Sequence, residues 1–126
     1  MSAQDTISLM HAYVEAIDQG ALERLESLLA PSVVLHTPPH RIQFPGNVIA
    51  RLRTERQAFP DLQLTIESAF ADEDGAHGTA IVAWSGRRMP ARLCMVFSVQ
   101  DGHIIGIEVY GGLARMLHDV GLMRVA

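Results

Sequence analysis

The stretch that decides the fold is ISLMHAYVEAIDQGALERLESLLAPSVVLHTP, residues 7–38. Apolar residues recur at every third or fourth position from Ile7 to Ile17, which is the spacing of one buried stripe on a helix. Tyr13 widens this stripe, so its hydroxyl lies at the border of the core and needs a hydrogen-bond partner or a ligand. The sequence therefore predicts an amphipathic helix that ends near Gly20 and carries a tyrosine toward the interior.

The same stretch continues into a second helix and a strand. Leucines within residues 22–29 predict a short helix that stops before Pro31, because proline does not continue helical geometry. An apolar strand over residues 33–38 follows. Polar groups at the end of this strand are expected to face the same pocket as Tyr13.

The middle of the chain predicts a third helix. A loop is expected from Pro38 to Gly46, and Asn47 is a suitable N-terminal cap for the helix that follows. Pro60 ends this helix. Its apolar positions are expected on one face, and they are Val48, Ile49, Leu52 and Phe59.

The second half of the chain predicts an antiparallel meander. Apolar and polar residues alternate there, and tight turns separate the alternating segments. The predicted strands cover residues 62–67, 77–85, 89–99 and 103–110. A closing helix over residues 113–120 is expected to end at Gly121. Helices followed by a meander indicate an α+β fold in one domain of residues 1–126.

The composition excludes several classes of function. The 126 residues are 48% hydrophobic and 19% charged, which is typical of a folded domain. The net charge of −4 gives no electrostatic reason to expect nucleic acid or an anionic membrane as partner. The sequence lacks a membrane-spanning apolar run and a signal peptide, so a cytoplasmic protein is expected. All 10 basic residues are arginine, so Schiff-base catalysis by lysine is excluded.

Metal and cysteine chemistry are not expected from the sequence. Cys94 is the single cysteine and lies in an apolar run, which favours a buried, inert thiol. His36 and His40 have the spacing of metal ligands on a helix, but Pro38-Pro39 prevents a helix between them. We therefore expect neither a metal ion nor a cofactor.

Several features follow one another along nearly the whole chain: the Tyr13 helix with its break at Gly20, the strand over residues 33–38, Phe59-Pro60-Asp61-Leu62, Asp101-Gly102-His103-Ile104, and residues 117–121. In the order of these features the chain resembles the nuclear-transport-factor-like, cone-fold superfamily, and within it the SnoaL-like polyketide cyclases and the ketosteroid isomerases. The resemblance implies a strongly curved antiparallel or mixed sheet wrapped around N-terminal helices, forming a cone with an internal apolar pocket. It also implies a homodimer.

The resemblance further implies which positions carry chemistry. Tyr13 falls where the isomerases place a tyrosine that stabilises an oxyanion. Thr37 and Met95 stand where the isomerases carry two aspartates, and Gly112 stands where the cyclases carry one. The family acids are therefore missing, and His36 is the expected base because imidazole titrates near neutral pH. Alternation along the strand leaves open that His36 points to the outer face.

The resemblance also implies a set of ligand-contacting residues. The expected contacts are Trp84, Met95, Leu93, Phe97 and Val82 on the central strands, Thr37 at a strand end, and Phe44, Phe59 and His40 at the mouth. Glu108 has two interpretations: it either faces the pocket as the missing carboxylate or faces outward at a dimer contact.

Three arginines near the middle of the chain suggest an anion site only weakly. The spacing of Arg51, Arg53 and Arg56 scatters them around a helix. Glu55 lies among them, so the sequence favours a solvated helix face over a site for a carboxylate or a phosphate.

The expected function is a cofactor-independent cyclase or isomerase acting on an apolar, carbonyl-bearing, polyketide-like metabolite. Such chemistry needs a base that removes a carbon-bound proton and a donor that stabilises the oxyanion. Two alternatives stay open: a non-catalytic module that binds a small apolar ligand, and an interaction protein that uses the fold only to dimerise. An enzyme predicts a roomy cavity with a titratable side chain, whereas an interaction protein predicts a cavity filled by side chains.

Overall fold

The computed structural model describes residues 1–86 and 91–111, and within them it confirms the predicted α+β architecture. The elements in chain order are α1 (Ala3–Asp18), a 3-10 helix (Leu22–Ser27), β1 (Leu29–Thr37), β2 (His40–Gln43), α2 (Pro45–Ala58), β3 (Gln63–Ala71), β4 (His77–Ser85), β5 (Ala91–Gln100) and β6 (His103–Gly111). The predicted closing helix over residues 113–120, the position of Gly112 and the predicted strand start at Met89 lie outside the described residues.

Helix α1 forms for the reasons its sequence indicates. The Ser2 side chain accepts a hydrogen bond from the Asp5 backbone at 3.2 Å, and the Asp5 carboxylate accepts one from the Ser2 backbone at 2.9 Å. This capping box satisfies backbone donors that a helix start leaves unpaired. The helix buries Tyr13 and the stripe that flanks it, and the chain turns away at Gly20, where φ is +71°. The predicted stripe is confirmed.

The six strands form one mixed, open sheet in the order β2-β1-β6-β5-β4-β3. β1 and β6 are parallel neighbours, whereas the other neighbouring pairs are antiparallel. Register shifts interrupt the pairing of β3 with β4 between Ile66 and Ser68, and the pairing of β5 with β6 between Ser98 and Val99. Because such irregularities bend strands, they add to the curvature with which the sheet packs on the helices.

The segment before β2 differs from the sequence-based prediction. Leu29 and Pro31 belong to β1, although the leucine spacing predicted a helix up to Pro31. The pairing of β1 with β6 shifts register between Leu29 and Val34, so an exposed proline without an N–H is tolerated there. The physical reason for the error is that pairing with a distant strand outweighs the local leucine pattern.

The predicted loop from Pro38 to Gly46 contains the short strand β2, which pairs with the end of β1. Helix α2 then begins at Pro45, and Phe44 precedes it at φ +73°. The Asn47 side chain does not cap this helix, because it donates instead to the Gln43 backbone carbonyl at 3.0 Å.

Two side-chain hydrogen bonds fix the ends of the helices against the sheet. The Asp18 carboxylate, at the end of α1, accepts from the Leu64 backbone N–H at 2.7 Å. The Arg56 guanidinium, near the end of α2, donates to the Leu62 carbonyl at 2.8 Å. Both helices are therefore held at the start of β3. No helix in the described part of the chain has the length and apolar character needed to cross a bilayer.

Candidate active site

Helices α1 and α2 and the inner face of the sheet enclose a small, mostly apolar cavity. Its volume is about 20 Å³, which is room for roughly one water molecule. Its lining consists of Tyr13, Ile17, Leu35, Thr37, Leu52, Glu55, Leu64, Trp84, Met95 and Val109. The cavity brings together four residues expected from the sequence, Tyr13, Thr37, Trp84 and Met95.

Tyr13 reaches this cavity from α1 and is 1% exposed. Its ring meets Phe97 of β5 edge to face, with centroids 5.5 Å apart and planes at 80°. Burial raises the pKa of the Tyr13 phenol, and the nearby Glu55 charge raises it further. The phenol therefore keeps its proton and can act only as a hydrogen-bond donor or a neutral acceptor at working pH.

Glu55 is the carboxyl group of the cavity, and sequence reasoning missed it. Its side chain is buried, at 6% residue exposure. Burial raises its pKa to about 7, while the positive charge and side-chain hydrogen bonding of Arg51 lower it and only partly offset the burial. The Arg51 Nε lies 3.5 Å from a Glu55 carboxylate oxygen. A carboxyl group with a pKa near the working pH suits general acid–base catalysis.

The interpretation of Glu55 as part of a solvated arginine face is wrong. Glu55 follows Leu52 by three residues and precedes Phe59 by four, so it lies on the same helix stripe as these buried side chains. That spacing is the signal that could have located it. Arg51 is also partly buried, and it pairs with Glu55, which lies one turn further along the helix.

Trp84 forms another wall of the cavity, from β4, and is 3% exposed. Its ring meets Phe59 edge to face at 5.3 Å between centroids and 84° between planes. Its Nε1 has no hydrogen-bond partner among the described residues. Thr37 and Met95, both buried, complete the polar and apolar lining near it.

The structure does not bring His36 to the cavity. Its strand neighbours Leu35 and Thr37 are buried and line the cavity, so alternation turns His36 to the opposite face of the sheet. There it pairs in register with Glu108 of β6 and Arg41 of β2. The geometry therefore gives no support to His36 as the base.

The remaining predicted contacts lie at different depths. Val82, Leu93, Phe97 and Phe59 are buried in the core behind the cavity lining. His40 is half-buried in β2, and Phe44 is 58% exposed. The four buried residues are therefore packing partners in the core, whereas His40 and Phe44 lie away from the cavity lining.

Glu108 lies on the outer face of the sheet, between buried Ile107 and Val109. Its carboxylate accepts a hydrogen bond from the Tyr110 hydroxyl, which is also exposed. Cys94, half-buried, stands opposite Tyr110 on β5. Glu108 is therefore not the carboxyl group of the cavity. Among residues 1–86 and 91–111, no group of three histidine, cysteine, aspartate or glutamate side chains is placed to hold a metal ion.

The model of the SnoaL-like domain family matches residues 10–107, and the chain therefore belongs to this family. A search of curated proteins finds no significant match. The family assignment agrees with the resemblance inferred from the sequence.

Solved structures with the same fold include several described as enzymes. A protein described as a SnoaL-like polyketide cyclase from Jannaschia sp. has a TM-score of 0.82 at 11% identity, covering 97% of this chain and 95% of that chain. A protein described as a ketosteroid isomerase from Kribbella flavida has a TM-score of 0.76 at 20% identity, covering 86% and 78%. An LEH-like epoxide hydrolase from M. tuberculosis has a TM-score of 0.71 at 20% identity, covering 94% and 90%. At these identities the likeness shows the fold alone.

Proposed function

We propose that this protein is a cofactor-independent enzyme that isomerises or cyclises an apolar, carbonyl-bearing metabolite, with Glu55 as its general base. The observation that carries the proposal is a buried carboxyl group, with its pKa raised by burial to about 7, on an apolar cavity that Tyr13 also lines. A SnoaL-like fold whose structural neighbours are described as cyclases and isomerases supports the same class of reaction.

The proposed reaction begins when the Glu55 carboxylate removes a proton from the carbon next to the substrate carbonyl. The electron pair of the broken C–H bond moves toward the carbonyl oxygen, which becomes an enolate oxygen. Tyr13, kept protonated by its burial, donates a hydrogen bond to this oxygen. In a β,γ-unsaturated substrate, protonated Glu55 then returns the proton to the γ-carbon, which restores the carbonyl and shifts the double bond. Alternatively, the enolate carbon attacks a second carbonyl, whose π electrons move to its oxygen, and this oxygen takes the proton from Glu55 as the ring closes.

The size of the cavity limits which part of a substrate it receives. A volume of about 20 Å³ accommodates a group no larger than a carbonyl or a water molecule. The rest of the substrate therefore requires movement of the surrounding apolar side chains. We infer that the reacting carbonyl enters first and that the lining side chains, such as Leu35 and Leu52, make way for the carbon skeleton.

The test of Glu55 is hydrogen–deuterium exchange of a small apolar ketone. We expect the protein to accelerate exchange of the α-hydrogens of 2-tetralone in D₂O, followed by NMR. Glu55→Gln keeps the shape but removes the base, and it should lower this rate by about 100-fold or more. Glu23→Gln, at an exposed glutamate of the 3-10 helix, is the matched control and should leave the rate unchanged. Exchange no faster than in buffer, or equal rates for both variants, would contradict the proposal.

A second candidate is a non-catalytic module that binds a small apolar ligand, and the mostly apolar lining of the cavity favours it. This candidate predicts that 2-tetralone binds, as measured by calorimetry, with no acceleration of its exchange. For either function we expect a homodimer in the cytoplasm, with neither a metal ion nor an organic cofactor required.

A further inference from the structure

We propose that the indole N–H of Trp84 is the donor that positions the ligand's carbonyl oxygen in the cavity. The inference deepens the proposed function and rests on it for the ligand class, which is an apolar compound with an oxygen acceptor at its inserted end. The sequence predicted Trp84 as an apolar ligand contact, whereas the proposal makes its indole nitrogen a hydrogen-bond donor.

The first support is an unpaired polar atom in a buried place. Trp84 is 3% exposed, and its Nε1 has no partner among the described residues. Buried polar groups in proteins are nearly always hydrogen-bonded, so an unpaired one calls for an external partner. Trp84 lines the cavity, so a ligand that enters there and displaces the neighbouring side chains meets the indole ring.

The second support is the chemistry of the indole group. Its N–H donates and never accepts, and it does not titrate in the working pH range. A partner must therefore supply a lone pair, as a carbonyl, hydroxyl or ether oxygen does. Because the rest of the lining is mostly apolar, the complementary ligand has an apolar body and one inserted acceptor.

The third support is that the ring is held in place. Phe59 packs edge to face against the indole, and Trp84 lies in β4 between Leu64 of β3 and Ala91 of β5. A donor fixed by packing and by two flanking strands requires little reorganisation when a ligand binds. Preorganised donors are the most effective at sites where negative charge develops.

Trp84 and Tyr13 are two separate hydrogen-bond donors in the proposed site. The Tyr13 phenol is close enough to Glu55 for the carboxylate charge to influence its titration. Burial and that charge both raise the pKa of the phenol, so Tyr13 keeps its proton and remains a donor for the ligand oxygen. The indole N–H has no described acceptor of its own, so it is free to bind the carbonyl oxygen whichever partner Tyr13 takes.

The chain offers a direct measurement, because Trp84 is its single tryptophan and gives one indole N–H signal in a ¹H–¹⁵N spectrum. The probes are cyclohexanone and methylenecyclohexane, which have similar shapes but differ in the oxygen. We expect cyclohexanone to move the indole proton downfield in a saturable manner and methylenecyclohexane to leave it nearly in place. A saturable change elsewhere in the cavity without movement of the indole proton, or no binding of cyclohexanone, would overturn the proposal.

Trp84→Phe provides the second measurement, because phenylalanine keeps an aromatic ring and removes the donor together with part of the ring volume, and the volume change affects both probes alike. The ratio of affinities for cyclohexanone and methylenecyclohexane should fall roughly three- to tenfold, as expected for one hydrogen bond. Equal losses for both probes would assign Trp84 a packing role and overturn the proposal. Neither measurement needs turnover, so they decide the role of Trp84 separately from the exchange experiment on Glu55. If the indole N–H binds the ketone but the protein does not accelerate hydrogen–deuterium exchange, the results support a binding module. If the protein accelerates exchange but the indole N–H does not bind the ketone, the proposal of an enzyme still holds.

Discussion

Glu55 occupies a position in α2 where the helix stripe otherwise carries apolar side chains, such as Leu52 before it and Phe59 after it. Removing a carboxylate from water is costly, so the folded protein favours the protonated form and the pKa rises to about 7. At neutral pH the two protonation states are therefore similarly populated. A group in that condition can both take a proton and return it, which the proposed reaction requires of a single residue.

This pKa shift predicts a pH dependence of stability. The native state keeps the Glu55 proton up to about pH 7, whereas the unfolded chain releases it near pH 4.5. Between these values the native state binds more protons, so the free energy of unfolding falls as pH rises, by on the order of 3 kcal/mol. Glu55→Gln should lack this fall. Urea unfolding of both proteins at pH 5 and at pH 8 measures the difference, and parallel behaviour would contradict the burial of an ionisable group at this position.

Arg51 predicts the pH dependence of catalysis. Its positive charge lowers the pKa of Glu55, so replacing it should raise that pKa. Since the base acts deprotonated, the exchange rate of the natural protein should rise with pH through about 7, and Arg51→Met should move this midpoint upward by about one unit. Arg53→Met, at an exposed arginine of the same helix, is the control. An unchanged midpoint in Arg51→Met would separate Glu55 from the titration that controls the rate.

Sequence patterns located some of the site residues and missed others for physical reasons. Tyr13 was predicted because helical periodicity is local and the residue borders a clear stripe. Glu55 was missed because a charge among arginines favours solvent, and only its spacing from Leu52 and Phe59 indicates burial. The face on which His36 lies depends on the phase of β1, which the buried Leu35 and Thr37 reveal only once the strand is placed.

Among the elements, α1 was predictable and the region around β1 and β2 was not. The capping of α1 by Ser2 and its apolar spacing are both encoded within one helix. β2 is four residues long and exists because it pairs with β1. Likewise, Leu29 joins β1 through its pairing with Ile104, far along the chain. Strands that depend on distant partners carry little local signal.

The docking of α1 on the sheet gives a prediction about stability. Thr6 is fully buried, and its hydroxyl donates to the Gly75 carbonyl in the turn between β3 and β4 at 2.5 Å. Thr6→Val keeps the shape but leaves that carbonyl unpaired, so the free energy of unfolding should fall by about 1–3 kcal/mol. Thr6→Ser keeps the hydroxyl and should lose less. Chemical denaturation of the two variants compares them, and a greater loss in Thr6→Ser would show that the methyl group matters more than the hydrogen bond.

Among residues 1–86 and 91–111, no helix covers the outer face of the sheet, and this face is where we predict the homodimer contact. Half-exposed side chains there include Ile81 of β4 and Val96 of β5, with the Tyr110–Glu108 pair beside them. Val96→Arg places a charge at the centre of this face and should shift the protein toward monomer in sedimentation velocity. Gln57→Arg, at an exposed residue of α2, is the control for added charge. A monomeric natural protein, or a dimer unaffected by Val96→Arg, would contradict the prediction.

The parallel pairing of β1 with β6 has a consequence for how the chain reaches its native state. β3 to β6 can assemble from neighbouring segments, but β1 gains its central neighbour only when β6 is present, as the alignment of His36 with Glu108 shows. Contacts between segments so far apart are slow to form, because a long loop must close first. On the ribosome, the N-terminal helices must therefore wait for the last described strand before the cavity between them and the sheet can close.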